Sequence, residues 1–216
     1  MTDTTIYLGT FPIHEPMTAF TDLIITFFGL LFFYRLRKAS SDITTRSWSI
    51  FFLLIGISTF FGACAHGFFA VHDGWEYKSV WLPMQIINAV SLYYAQQATL
   101  HSVLNHSPSR NIWKWSYIIQ LLIYIVCLMI FQKYIVTIIE NAITLIPIMI
   151  LHYRTKEKVA GSRMIANGIT VSFITAVIHG TKLSLHAYFN FNDLAHVFIF
   201  ITLWMMYSGA KKNAIS

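Results

Sequence analysis

Seven apolar runs, each long enough to cross a bilayer, occupy most of the chain. A spanning helix needs roughly 20 apolar residues, and such runs lie at 16–37, 47–70, 80–101, 113–131, 133–152, 163–186 and 192–210. Of the 216 residues, 56% are hydrophobic and only 11% charged, more apolar surface than a soluble domain of this size can bury. The predicted fold class is therefore all-α. One domain, 1–216, is expected to form a bundle of seven transmembrane helices, as a multi-pass protein of the cell or inner membrane.

The formal net charge of +6 would suit a nucleic-acid or acidic partner, and its placement argues against both. Arg35, Arg37, Lys38, Arg46, Arg110, Lys114, Arg154, Lys156, Lys158, Arg163, Lys211 and Lys212 fall at alternate loops and the C-terminus, whereas the opposite face holds only Lys78, Lys133 and Lys182. The positive-inside rule then predicts an outside N-terminus and a cytoplasmic C-terminus, which an odd number of spans requires. No nucleic-acid partner is expected; membrane lipid is the solvent and the expected substrate. Cys64 and Cys127 lie within predicted helices, so neither a disulfide framework nor a Cys-rich metal site is expected.

The first fifteen residues carry no basic segment and no small-residue cleavage pattern, and are read as having no cleaved signal. Pro16 suits a first helical turn, and Pro147 should kink the fifth helix or loosen its inner end. Trp48, Trp75, Trp81, Trp113, Trp115 and Trp204 fall near predicted span ends, as interfacial anchors do.

Polar residues inside the spans gather toward one end. Glu15, Thr18, Asp22 and Thr26 recur at helical spacing on the first helix, and Ser58, Gly62 and His66 on the second. Ser172, Thr175, His179, Lys182 and His186 form a third stripe; Asn192 and His196, with Asp193, a fourth. Gln85, Asn88, Thr137, Glu140 and Asn141 fall at the same depth on the third and fifth helices. Residues three or four apart share a helix face, and lipid cannot satisfy a polar stripe, so these faces must turn to the bundle interior or an aqueous cavity. The expectation is a shared polar chamber in the outer half of the bilayer, with an inner half holding little besides Arg and Lys at helix ends.

Imidazoles from separate helices with carboxylates near them suit a catalytic zinc site, which needs three protein ligands and an open position for water. His66, His179 and His196 are the expected metal ligands. Asp22, Glu15 and Asp193 would orient a ligand or move protons, with Asn88, Asn192, Lys182, His186 and Glu140 as substrate-facing or supporting groups.

"GACAHG" and "NDLAHVFIF" resemble motifs of the CREST superfamily of seven-helix membrane hydrolases, which includes alkaline ceramidases, adiponectin-type receptors and hemolysin III-like proteins. The resemblance implies a zinc site and hydrolysis of a lipid amide or ester, or a receptor that keeps the pocket. It places His66 and His196 at ligand positions. Gly62 stands where the family has Ser, Asn192 where it has a further His, and Asn88 is nearest to its third-helix Asp. Either His179 replaces the missing ligand, or metal and hydrolysis are both lost. "HEPMTAFTD" and "NDLAH" also resemble a bacterial branch near this superfamily to which no activity attaches.

Two other classes compete. A bis-His haem protein would use His66 with His179 or His196, although Asp and Glu beside a buried haem fit poorly. A receptor or transporter would hold a polar ligand in the chamber without chemistry. Retinal binding is disfavoured, since the seventh helix has no internal Lys.

Overall fold

The computed structural model describes residues 4–70, 74–105, 107–186 and 188–215. A hairpin of β1 (Ile6–Leu8) and β2 (Phe11–Ile13) leads into α1 (Pro16–Ala39), α2 (Ile43–Cys64), a π-helical turn at Ala65–Phe69, α3 (Trp75–Val103), α4 (Arg110–Phe131), α5 (Tyr134–Arg154), α6 (Ser162–Thr181) and α7 (Phe191–Ala214). Each of the seven expected spans overlaps one of these helices. The hairpin was not expected. Its two-residue turn places Gly9 at a φ of 65°, a conformation that suits glycine at the first position of such a turn.

Six of the helices are long and apolar enough to cross a membrane. The seventh, α3, falls short in apolarity because it carries Gln85, Ser91, Gln96 and Thr99, all buried within the bundle. Its 29 residues extend about 43 Å at 1.5 Å per residue, so its length is ample.

The core lies where α1, α2 and α7 meet. Phe32 stacks on Tyr207 with ring centroids 4.2 Å apart and meets Phe52 edge-on at 5.4 Å, geometries that aromatic pairs favour. Close approach of α1 and α2 depends on two glycines: a Cβ on Gly29 would stand 2.9 Å from the Gly56 Cα. A second cluster joins Trp81, Leu82 and Ala89 of α3 to Tyr124 and Leu128 of α4.

Two expectations are corrected here. Trp48 and Trp81 are buried rather than interfacial, and Trp48 packs edge-on against Phe51; proximity to a span end did not imply contact with its surface. Helix α6 stops at Thr181, with Lys182 left-handed at φ 52° and the Leu183 N–H bonded back to the Ile178 carbonyl. That back-bond is the closing bond of a Schellman-type end. Lys182 and His186 therefore leave the predicted stripe: both are exposed, and His186 bridges to Phe189.

Candidate functional site

The chamber forms at the hairpin end of the bundle, where the first turns of α1 and α7 meet the π turn after α2. In a π turn the hydrogen-bond register shifts from i→i+4 to i→i+5. Here the carbonyls of His66 and Gly67 accept the backbone N–H groups of Glu15 (3.2 Å) and His14 (3.0 Å). That strand-like link fixes Glu15 against His66, and the His66 Nδ1–H donates to Glu15 Oε2 at 2.5 Å. With Nδ1 so engaged, Nε2 of a neutral His66 carries the lone pair.

His196 is held from the other side. Thr21 donates its one hydroxyl proton to the Thr18 carbonyl (3.0 Å), so it accepts from His196 Nδ1 at 2.7 Å. The remaining nitrogen, Nε2, faces Asp22 Oδ1 at 3.5 Å. Asp22 is buried, and Gly62 makes room for it: a Cβ at residue 62 would stand 2.7 Å from Asp22 Oδ2. The position where a serine was the family expectation is therefore filled by the carboxylate of α1.

Asp193 has a more local duty. Its Oδ2 accepts from the Asn190 N–H at 2.7 Å, completing a capping box at the start of α7, and its Oδ1 accepts from Thr18 Oγ1 at 2.8 Å. Capping satisfies N–H groups that a helix start leaves open, and both oxygens of this carboxylate are engaged. Beside it, Glu15, Thr18, Asn190 and Asp193 help to line a small recess of about 10 Å³, room for about one water molecule.

Of the sequence-predicted residues, Glu15, Asp22, His66, Asp193 and His196 converge here. His179 is placed differently, its ring 5.8 Å from that of Tyr134 and 5.5 Å from that of Phe191. Asn192 sits in the capped first turn, its N–H donating to Asn190 Oδ1 at 2.7 Å. Asn88 bonds Asn141 across α3 and α5 at 3.4 Å.

Glu140 belongs to a separate network: Gln120 Nε2 donates to Glu140 Oε1 (3.0 Å) and Thr144 Oγ1 (2.6 Å), while Gln96 Nε2 donates to Gln120 Oε1 (3.0 Å). Lys182 and His186 are the exposed residues beyond α6 described above.

The expected zinc ligands can be tested against this arrangement. His66 and His196 each have Nδ1 fixed by an oxygen, the outer contact that metal-binding imidazoles commonly make. Among the described residues, however, no group of three or more His, Cys, Asp or Glu side chains is arranged to hold a metal ion.

Residues 17–215 match the profile of DUF6962, a family of unknown function. The chain belongs to that family. No curated protein and no solved structure matches it. The DUF6962 match takes in α1 to α7 with Asp22, His66 and His196; Glu15 lies just before it.

Sequence reasoning passed over Thr21, which flanks rather than joins the Glu15, Thr18 and Asp22 stripe. It also passed over His152, fully buried at the basic end, with Nδ1 2.8 Å from Ser162 Oγ and Nε2 3.2 Å from Thr99 Oγ1. The basic end is therefore less bare than expected.

Proposed function

We propose that this DUF6962 protein is a membrane-embedded hydrolase of a lipid amide or ester, working at the hairpin end with Glu15 and His66 as its acid–base pair. The observation that carries the reading is the Glu15–His66 hydrogen bond. A carboxylate fixing Nδ1–H leaves Nε2 free to take a proton, the arrangement by which paired carboxylates orient catalytic histidines. Water attacking a lipid carbonyl would give its proton to His66 Nε2, and the imidazolium would return it to the departing amine or alcohol. The Asp22 carboxylate and the His196 imidazole stand 3.5 Å apart alongside. The partial resemblance of the His66 and His196 motifs to seven-helix lipid hydrolases supports the same assignment.

A lipid headgroup would approach the pair at the hairpin end, beside the π turn. The alternation of basic loops supports an orientation with this end outside.

The test is turnover of a panel of N-acyl and O-acyl lipids by protein in nanodiscs, read by mass spectrometry. His66→Gln should lower the rate by about 100-fold or more, and Glu15→Gln by less. Binding of a panel lipid without turnover would favour a receptor instead. Turnover that survives His66→Gln would dismiss the assigned base.

A further inference from the structure

The basic end of the bundle, opposite the acid–base chamber, holds a second and larger cavity, between the start of α2 and the end of α3. It is an open cleft of about 420 Å³, with Arg46, Ser47, Tyr93, Tyr94, Gln97 and His101 among its lining residues and Ile43 and Ile50 along its apolar side. No acidic side chain lines it.

Its wall carries three nitrogen donors, from Arg46, Gln97 and His101, beside the hydroxyls of Ser41, Ser47, Tyr93 and Tyr94. Gln97 Nε2 is buried with no hydrogen-bond partner among the described residues, and a buried amide without a partner costs about 1–3 kcal/mol. Arg110 donates to His101 Nδ1 at 3.0 Å, so the proton of the neutral His101 ring sits on Nε2, which is a donor. Arg46 is exposed, and its guanidinium makes no ion pair among the described residues. Asp42, the nearest carboxylate in sequence, is occupied by Ser40 Oγ and the Thr45 N–H. Arg110 and Lys114 add positive charge from behind His101.

An anion with several acceptor oxygens answers a guanidinium, an amide and an imidazole N–H together, and a phosphate group offers them in the geometry that an arginine fork matches. The exposed Ile43 and the adjoining Ile50 lead from the donors onto the apolar flank of α2, where an acyl chain would lie. We propose that this cavity is a binding site for the phosphate of an anionic phospholipid, with Arg46 and Gln97 as its principal donors and the acyl chain along Ile43 and Ile50. The site is independent of the chemistry assigned to the other end.

Detergent-solubilised protein titrated with phosphatidylglycerol, and separately with phosphatidylcholine and glycerol phosphate, tests this by native mass spectrometry. Saturable binding of phosphatidylglycerol in preference to phosphatidylcholine is expected, weakened about tenfold by Arg46→Ala. Gln97→Leu should weaken it too, while Lys211→Ala, at the same end but outside the cavity, should not.

Equal weakening by Lys211→Ala would reduce the effect to general charge attraction and overturn the site. Glycerol phosphate binding as tightly as the lipid would overturn the lipid assignment in favour of a free phosphate ester. Should Arg46→Ala fail to fold, Arg46→Lys together with Gln97→Leu carries the test, and undiminished binding in both refutes it.

Discussion

Placing an alanine at Gly62 perturbs the chamber at a single atom. Its Cβ would lie 2.7 Å from Asp22 Oδ2 and 3.1 Å from Asp22 Cγ, whereas ordinary contact begins near 3.4 Å. The carboxylate would have to retreat by about 0.7 Å, and at 4% exposure it has no solvent to retreat into. Overpacking of this kind costs about 1–3 kcal/mol. Replacing glycine by alanine within a helix returns roughly 1 kcal/mol, so the net penalty is about 0–2 kcal/mol.

In the Asp22→Ala background the obstruction is gone and only the helix gain remains. The same Gly62→Ala change should then stabilise by about 1 kcal/mol, a reversal of sign that a double-mutant cycle isolates. Thermal melting in detergent micelles reads it, at about 2–4 °C per kcal/mol for a chain of this size. A Gly62→Ala shift of the same sign and size with and without Asp22 would show that the carboxylate does not occupy the space beside Gly62.

Three further outcomes follow from particular contacts. Burial alone would push the Asp42 carboxyl up, but hydrogen bonds from Ser40 and Thr45 outweigh it and hold the group below its ordinary value. Its contribution is therefore present above the unfolded carboxyl range of about pH 4 and lost as pH falls through the lower folded value. Asp42→Ala should cost about 1 kcal/mol at pH 7 through the lost helix cap and less in acid, and a penalty independent of pH would contradict the capping role.

Gln120→Leu removes the donor shared by Glu140 and Thr144 and should destabilise by about 1–3 kcal/mol in a chemical or thermal melt. An unchanged midpoint would mean that the network holds nothing together. Lys182→Gly should raise stability by about 1 kcal/mol, because a side chain in the left-handed region is strained by about that much; a lower melting temperature would place the value of Lys182 in its side chain.

The helices were legible in the sequence because apolar length and interrupting polar loops are direct consequences of bilayer thickness. The shared faces were legible too: residues spaced by three or four brought Glu15, Asp22, His66 and His196 to one end. What the spacing could not convey is register where the helix departs from the α form. Nothing in "AHGFF" announces a π turn, yet that turn supplies the carbonyls that tie His14 and Glu15 beside His66. The α6 stripe failed for the complementary reason, since the helix ends before Lys182 and counting by fours beyond it has no geometric meaning. Gln96 and Gln120 read as ordinary helical amides until their pairing with Glu140 across three helices is seen.

Helix α3 has an implication for biogenesis. In a bilayer its glutamines and threonine would be costly to expose to acyl chains, and three of these side chains have partners on α4 and α5: Gln120 for Gln96, Thr137 for Gln85 and His152 for Thr99. Those partners are synthesised later. A ribosome delivering this chain therefore presents α3 before these partners exist, and the three side chains go without them until α5 arrives. Assembly of this bundle is in that sense not a matter of independent helices: its third is completed only by its fourth and fifth.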